Sequence, residues 1–190
     1  MAIKTKQELK DVFNGLSSLL FQSAEVDLNS SSKISLVPEY DLPVTVDTLQ
    51  VNQDDPTVNH YKVIGLDGDW TSSATLGDMT IQFTVPTKST DVLKMAYGED
   101  AVKETVQATL DSQDYTGVAL TIKKKKVTGS FILVNEEEDQ IMIMSGVALW
   151  AKPLYENPGT EPFALQFTGT METSGNPNFA WLKKSAGIGG

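Results

Sequence analysis

Three consecutive segments decide the fold of this chain: Ser130-Phe-Ile-Leu-Val134, Asn135-Glu-Glu-Glu-Asp139 and Gln140-Ile-Met-Ile-Met144. The first and third segments are mainly apolar, whereas most residues of the second are acidic. Two apolar strands around a short polar turn are typical of a β-hairpin. The second strand continues through Val147-Ala-Leu-Trp150, so the hairpin indicates a mainly β domain.

Period-two alternation extends the β prediction to both sides of the hairpin. Upstream, Met79-Thr-Ile-Gln-Phe-Thr-Val85 alternates apolar and polar residues, as a half-buried strand does, and Pro86 ends the pattern. Shorter apolar or alternating runs predict further strands at 34–38, 44–49, 60–64, 117–127 and 163–169.

Two segments carry helical signals. Capping-box spacing, followed by apolar residues at helical intervals, predicts an amphipathic helix from Thr5 to about Gln22. A short second helix is expected to begin at Thr90 and to end at Gly98, which is a natural helix stop. Residues 99–110 are expected to begin as a helix and to end as an extended segment.

No repeat and no low-complexity linker divides the sequence, which therefore predicts a single domain over residues 1–190. Within it we expect an N-terminal helix in residues 1–25, a β-rich core in residues 33–175 and a C-terminal tail in residues 176–190. The tail is expected to be flexible unless a neighbour holds it. The predicted fold class is mainly β with one or two flanking helices.

Composition argues against catalysis and against tight nucleic-acid binding. The net charge is −10, from 25 acidic and 15 basic residues, and every basic residue is a lysine. Arginine is the usual residue for bidentate contacts to phosphates and base edges. The chain has no cysteine and one histidine, His60, which excludes thiolate chemistry, a histidine-based triad and a multi-histidine metal site. We predict that it is not an enzyme and holds no metal or cofactor.

The start of the chain is polar and charged, and it does not resemble a signal peptide. No apolar run approaches the roughly 18 residues of a membrane-spanning helix. We therefore expect synthesis in a cytoplasm and no membrane partner.

Two charged clusters are candidate contact sites, a lysine run and the hairpin tip: Lys123, Lys124, Lys125, Lys126, Glu136, Glu137 and Glu138. The tip is expected to keep the turn solvated. In a strand only two of the four lysines share each face. The lysines either discourage wrong strand pairing or meet an acidic surface of an identical subunit, and both alternatives stay open.

Other polar and aromatic residues fit ordinary structural roles better than a site. The Asp67-Gly-Asp69 segment lacks the ligand pattern of a calcium loop and is expected to be a solvated turn. Trp70, Trp150 and Trp181 could line a sugar platform, but buried or interface anchors are commoner uses of tryptophan.

Two adjoining segments resemble the phage major tail proteins, which are the subunits of tail tubes. The first, Gly68-Asp-Trp-Thr-Ser-Ser-Ala-Thr-Leu-Gly-Asp-Met-Thr-Ile-Gln-Phe-Thr-Val-Pro86, is a turn and an amphipathic strand. The second, Ser89-Thr-Asp-Val-Leu-Lys-Met-Ala-Tyr-Gly98, is a short helix that ends in glycine. The late strand Leu165-Gln-Phe-Thr-Gly-Thr-Met-Glu172, with its glycine-rich tail, is also similar to that family. The resemblance covers roughly residues 33–175, whereas residues 1–25 depart from the simplest members.

The resemblance implies a β-sandwich or barrel of the tail-tube type, built from two sheets with the helix beside them. It also implies subunits that assemble into stacked, usually hexameric rings within a virion tail, after synthesis in the host cytoplasm. The expected partners are further copies of the chain and other tail proteins, while DNA passes an acidic lumen without specific binding.

In such an assembly we expect a loop at residues 47–59 to reach the adjacent ring through Gln50, Asn52, Gln53, Asp54 and Asp55. The lysine run and the glutamates of the hairpin tip are then candidates for subunit contacts or for the lumen wall. An acidic wall repels the DNA backbone, whereas each lysine that neutralises a phosphate adds salt-dependent affinity.

Two alternatives fit the same composition. One is a phage head-decoration or other capsid subunit, which would share the acidic charge and the cytoplasmic synthesis. The other is a monomeric β-sandwich that binds carbohydrate or peptide, which would stay monodisperse and expose an aromatic platform.

Overall fold

The computed structural model describes residues 12–172 and 177–185, and it is mainly β. These residues contain one α-helix, α1 (Thr90–Tyr97), and two 3-10 turns, Val46–Thr48 and Glu99–Ala101. They also contain twelve strands: β1 (Ser18–Gln22), β2 (Tyr40–Leu42), β3 (Gln50–Gln53), β4 (Thr57–Tyr61), β5 (Thr71–Thr75), β6 (Met79–Val85), β7 (Val102–Leu110), β8 (Gln113–Leu120), β9 (Val127–Val134), β10 (Gln140–Leu154), β11 (Ala164–Met171) and β12 (Phe179–Lys183). The predicted class, mainly β with a flanking helix, is confirmed.

Eight strands form one antiparallel sheet. Its order is β2-β1-β9-β10-β11-β6-β3, and β12 pairs with the first residues of β10. The sheet folds back on itself, because Phe83 of β6 contacts Phe131 of β9 although β10 and β11 separate those strands in the sheet order. The two halves of the sheet therefore form the layers of a β-sandwich.

The core between the layers is aromatic. The ring of Phe131 lies 5.1 Å from that of Phe21 and 5.5 Å from that of Phe83, measured between centroids. Phe83 in turn stacks on Phe167 at 5.0 Å, and none of the four rings is more than 1% exposed. Helix α1 adds its buried face to the same cluster, with Val92, Leu93, Met95, Ala96 and Tyr97.

A strap, residues 23–37, packs on the opposite face of the sheet. Val26 of the strap is buried with Ile132 of β9 and Ile143 of β10. Because side chains alternate along a strand, Ile132 faces away from its neighbour Phe131 in the main core. Other strap residues are packed at the edge of this second cluster: Leu28, Ile34 and Leu36. Both faces of β9 are thus covered.

Two buried serines attach the strap to the sheet. The Ser145 hydroxyl donates to the carbonyl of Val26 at 2.7 Å and lies 3.0 Å from its N–H, while Ser130 donates to the carbonyl of Ala24 at 3.1 Å. Ser130 and Ser145 are at most 1% exposed. Their hydroxyls therefore satisfy strap backbone groups that the ladder of the sheet does not reach.

We expect Ser145→Ala to lower the free energy of unfolding by about 1–3 kcal/mol, because the Val26 carbonyl then stays buried without its donor. Denaturant unfolding of the two proteins measures the difference. The matched control is Ser35→Ala, at an exposed strap position, for which a change within about 0.5 kcal/mol is expected. Equal stabilities of all three proteins would contradict an anchoring role for Ser145.

The helix predicted from Thr5 to about Gln22 is wrong over the residues that the structure describes; residues 5–11 lie outside them. Residues 12–17 form no helix, and Ser18–Gln22 is strand β1, paired with β9 and β2. Leu19 and Phe21 enter the main core, whereas Leu20 packs on the second cluster. A strand buries both faces of this apolar run. In addition, the backbone of Gly15 has a φ of +67°, which is outside the helical region, just before β1 begins.

Two early strands were also predicted wrongly. Residues 34–37 lie in the strap and Pro38 follows it; Ile34 and Leu36 pack towards the sheet, but these residues pair with no strand. Residues 44–49 contain the 3-10 turn Val46–Thr48 instead. Here the chain passes from one edge strand to the other, and the Thr45 N–H donates to the carbonyl of Thr84 in β6 at 2.9 Å.

The C-terminal segment and the lysine run differ from prediction as well. Phe179–Lys183 forms β12, which pairs with Gln140–Met144. The rings of Phe179 and Trp181 contact each other on this strand. This part of the predicted flexible tail is therefore a strand. Residues 186–190 lie outside the described part. Residues 121–126 form no strand, because β9 begins only at Val127.

The strongest local signals gave correct elements. The deciding hairpin is β9 and β10, antiparallel around residues 135–139. Met79–Val85 is strand β6, and α1 runs from Thr90 to Tyr97 with Gly98 following it. Residues 99–110 have a 3-10 start and an extended end, as predicted.

Candidate self-assembly surfaces

A first arm, residues 54–78, extends from the sandwich at the end of the β3–β6 pair. Its base is closed by the Asp54 N–H, which donates to the carbonyl of Asp78 at 3.0 Å. A Cβ atom on Gly77 would lie 2.1 Å from the carbonyl oxygen of Asp54, so only glycine allows this close approach. Strands β4 and β5 then run outward as a two-stranded ladder in which every residue is exposed.

The tip of the first arm is apolar, although its strands are polar. Val63, Ile64, Leu66 and Trp70 are all exposed there, Trp70 by 65% and Ile64 completely. The Trp70 N–H donates to the carbonyl of Tyr61 at 2.7 Å and closes the tip loop. These side chains form an exposed apolar patch, the kind of surface that in soluble proteins marks interaction sites.

A second arm, residues 102–120, is the β7–β8 hairpin. It turns at Asp111 and Ser112, whose φ angles of 49° and 62° are those of a tight hairpin turn. Ala108 pairs with Tyr115 in the ladder, and Leu110, on the same face as Ala108, is 63% exposed. The outer part of this arm therefore exposes two large apolar side chains, Leu110 and Tyr115, on one face.

The second arm is fixed to the helix at its base. The Thr121 N–H donates to the carbonyl of Ala101 at 2.8 Å, and Lys94 of α1 forms an ion pair with Glu104 of β7. The hydrogen bond to Glu104 raises the pKa of Lys94 above its ordinary value. The direction of the arm is thus set by contacts with the sandwich.

The lysine run lies beside the end of α1, and three of its members have partners. Lys123 pairs with Asp100, and its hydrogen bond lowers the pKa of that carboxyl. Lys125 donates to the carbonyl of Met95 in the last turn of α1, at 3.4 Å, where a positive charge complements the helix dipole. The third, Lys126, pairs with a carboxylate at the end of β11, Glu172. These residues are not in a strand, so the predicted alternation of the lysines between two faces is wrong.

A cleft opens where the lysine run separates from β10. This lysine cleft has a volume of about 510 Å³ and is lined by residues 122–125 and 150–153. Trp150 stands in its wall, 42% exposed. Within the described residues, no hydrogen bond or ion pair engages the side chain of Lys124 or of Lys152, which both line the cleft.

The hairpin tip, called here the acidic turn (residues 135–139), is ordered by Asn135. Its side-chain oxygen accepts the N–H groups of Asp139 and Gln140 at 3.0 and 2.9 Å, and Asn135 itself is 2% exposed. Glu136, Glu137 and Glu138 are exposed, although Glu136 lies against Gly15 and Glu138 accepts a hydrogen bond from the Ser17 hydroxyl at 3.4 Å. The turn therefore holds several exposed carboxylates on an ordered backbone.

No protein-family model and no curated protein matches this chain. The resemblance to tail proteins thus stays a prediction. Within the described residues no helix is long and apolar enough to cross a bilayer, and no group of His, Asp and Glu side chains could hold a metal ion.

The five predicted stacking residues lie in two places. Gln50, Asn52 and Gln53 belong to β3, an edge strand paired with β6, so the expected loop at residues 47–59 is wrong as a structure. Asp54 and Asp55 stand at the base of the first arm. Their part in stacking stays a prediction, but the arm that follows them exposes far more apolar surface.

Sequence reasoning missed the apolar tip and the pairing that forms the second arm, although it predicted extended structure at the end of residues 99–110 and from residue 117. A signal for the tip is present in Lys62-Val-Ile-Gly-Leu66, an apolar run beside glycine-rich turns. The strand predicted at residues 60–64 is wrong beyond Tyr61, because β4 ends there and the next residues belong to the tip. The single histidine, His60, pairs with Asp69 across the first arm. Trp70 and Trp181 are exposed on different elements, the first arm and β12.

Proposed function

We propose that this protein is a structural subunit that assembles with copies of itself into the stacked rings of a phage tail tube. The observation that carries the proposal is the pair of arms. The first arm exposes large apolar side chains at its tip, and the second arm exposes them along its strands. A subunit that projects such arms buries them when neighbouring copies meet.

The charge supports a tube through which DNA moves. A net charge of −10, with no arginine, gives a wall that repels phosphates instead of holding them. In this proposal DNA passes without specific binding, the other partners are further tail proteins, and the protein is located in the virion tail. No catalytic role is assigned to it.

The proposal is tested by electron microscopy of the purified protein over a range of concentrations, with mass measurement by light scattering. We expect rings and hollow tubes whose amount rises with concentration. A head-decoration subunit would instead give no tubes and would add to preformed shells. A protein that stays a monomer at every concentration would contradict the tube and support a binding module.

A further inference from the structure

Opposite charges stand at opposite ends of the β9–β10 hairpin. The lysine run leads directly into Val127, the first residue of β9, and the acidic turn begins directly after Val134, its last residue. Because β9 has eight residues, the ends lie roughly 26 Å apart at about 3.3 Å per residue. The hairpin is central in the sandwich, so these ends keep a fixed separation and direction.

The basic end has charge that its own chain does not neutralise. Asp100 and Glu172 pair with two of its lysines, but the side chains of Lys124 and Lys152 have no partner in the described part of the chain. Both line the lysine cleft beside the exposed ring of Trp150. The cleft therefore presents ammonium groups around a concave surface with an apolar wall.

The acidic end fits such a cleft. The acidic turn is narrow, because two antiparallel strands enter it, and Asn135 holds it in one conformation. At this end the last residues of β12 bring Lys183 and Lys184 close, through the Lys184 N–H that donates to the carbonyl of Asp139. Four acidic residues stand against these two lysines, so the end stays acidic.

We infer that the lysine cleft of one copy receives the acidic turn of a second copy. This inference rests on the proposed function and names one contact within that assembly. The two surfaces differ and lie at opposite ends of one rigid hairpin, so the contact is head-to-tail. A head-to-tail contact uses both ends of every copy and continues into closed rings or open filaments.

The test uses two charge-reversed variants of the full chain. The cleft variant combines Lys124→Glu with Lys152→Glu, and the turn variant combines Glu137→Lys with Glu138→Lys. Each variant alone brings like charges together, so we expect the concentration needed for assembly to rise at least about tenfold. Light scattering and electron microscopy measure that concentration, and circular dichroism checks that both variants are folded.

Mixing the two variants separates the inference from a general effect of charge. In an equimolar mixture, the unchanged acidic turn of the cleft variant can bind the unchanged lysine cleft of the turn variant. The lysines introduced in the turn variant can likewise bind the glutamates introduced in the cleft variant. We expect assembly near the wild-type concentration in the mixture, and also in a chain that carries all four changes. The matched control is Lys33→Glu with Lys88→Glu, two exposed lysines outside the cleft, which should assemble as the wild type does.

Four results would overturn the inference. If both variants assemble like the wild type, the contact is absent although the proposed function stands. If the mixture fails while each variant is folded, the two surfaces do not meet. If duplex DNA binds the wild type and loses binding only in the cleft variant, whose assembly is unchanged, then the cleft is a DNA site. If the wild type itself never assembles, the proposed function fails with it.

Discussion

A protein whose first arm is cut off at its base should fold and fail to assemble. We expect this when residues 56–76 are replaced by a Gly-Asn turn between Asp55 and Gly77. The hydrogen bond from Asp54 to Asp78 already brings the two ends together, and β4 and β5 bury no residue in the sandwich. The edge strand β3 keeps its pairing with β6, so the core stays complete.

The measured result should be a single subunit mass by light scattering and no tubes in electron micrographs at any concentration. Unfolding by denaturant should remain cooperative. A finer variant, Ile64→Ser with Trp70→Ser, keeps the arm but removes the two most exposed large apolar residues of its tip, and it should weaken assembly strongly. The matched control, Thr57→Ser with Thr75→Ser, changes a paired position at the arm base and should assemble normally. Tubes of normal length from the shortened protein would contradict a role for this arm.

The second large effect is expected in the aromatic core. Phe131→Ala should lower the free energy of unfolding by about 3–5 kcal/mol, since it leaves a cavity among rings that contact both layers. Such a loss is a large part of the roughly 5–15 kcal/mol that stabilises an ordinary domain. Denaturant unfolding measures the change, and Tyr155→Ala, at an exposed position, should alter stability by only about 0.5 kcal/mol.

A double substitution tests the contact between the layers directly. Phe83 and Phe131 lie on strands that are not neighbours in the sheet, yet their rings are 5.5 Å apart. Removing both should cost less than the sum of the single losses, because the first substitution already removes the shared contact. Strict additivity of the two losses would indicate that the layers do not share this contact.

The elements that were predicted correctly have local signals. β9, β10 and the turn between them follow from alternation and from a polar turn, and α1 from its cap and its glycine. Strand β1 has no such local signal, because the apolar run Leu19-Leu-Phe21 suits a helix face as well as a strand with two buried faces. The partner that decides the matter, β9, lies more than a hundred residues away in the sequence.

The candidate surfaces were only partly predictable for a similar reason. The charges of the lysine run and of the acidic turn are visible in the sequence, but the cleft depends on how residues 122–125 separate from β10. The strand Thr71–Thr75 has no large apolar side chain on either face, so no periodicity distinguishes it from a loop. It exists as a strand because β4 pairs with it across the first arm.

The pairing of β1 with β9 has a consequence during synthesis. Residues 18–22 cannot complete their place in the sheet until residues 130–134 have left the ribosome. At about 5–20 residues per second, that interval lasts roughly 5–20 s, during which Leu19, Leu20 and Phe21 have no sheet to enter. Pairings this distant in sequence also slow folding, because a long loop must close before any contact compensates for its entropy. Newly made chains therefore pass through a stage that favours aggregation, and chaperone capacity is expected to limit how quickly subunits accumulate.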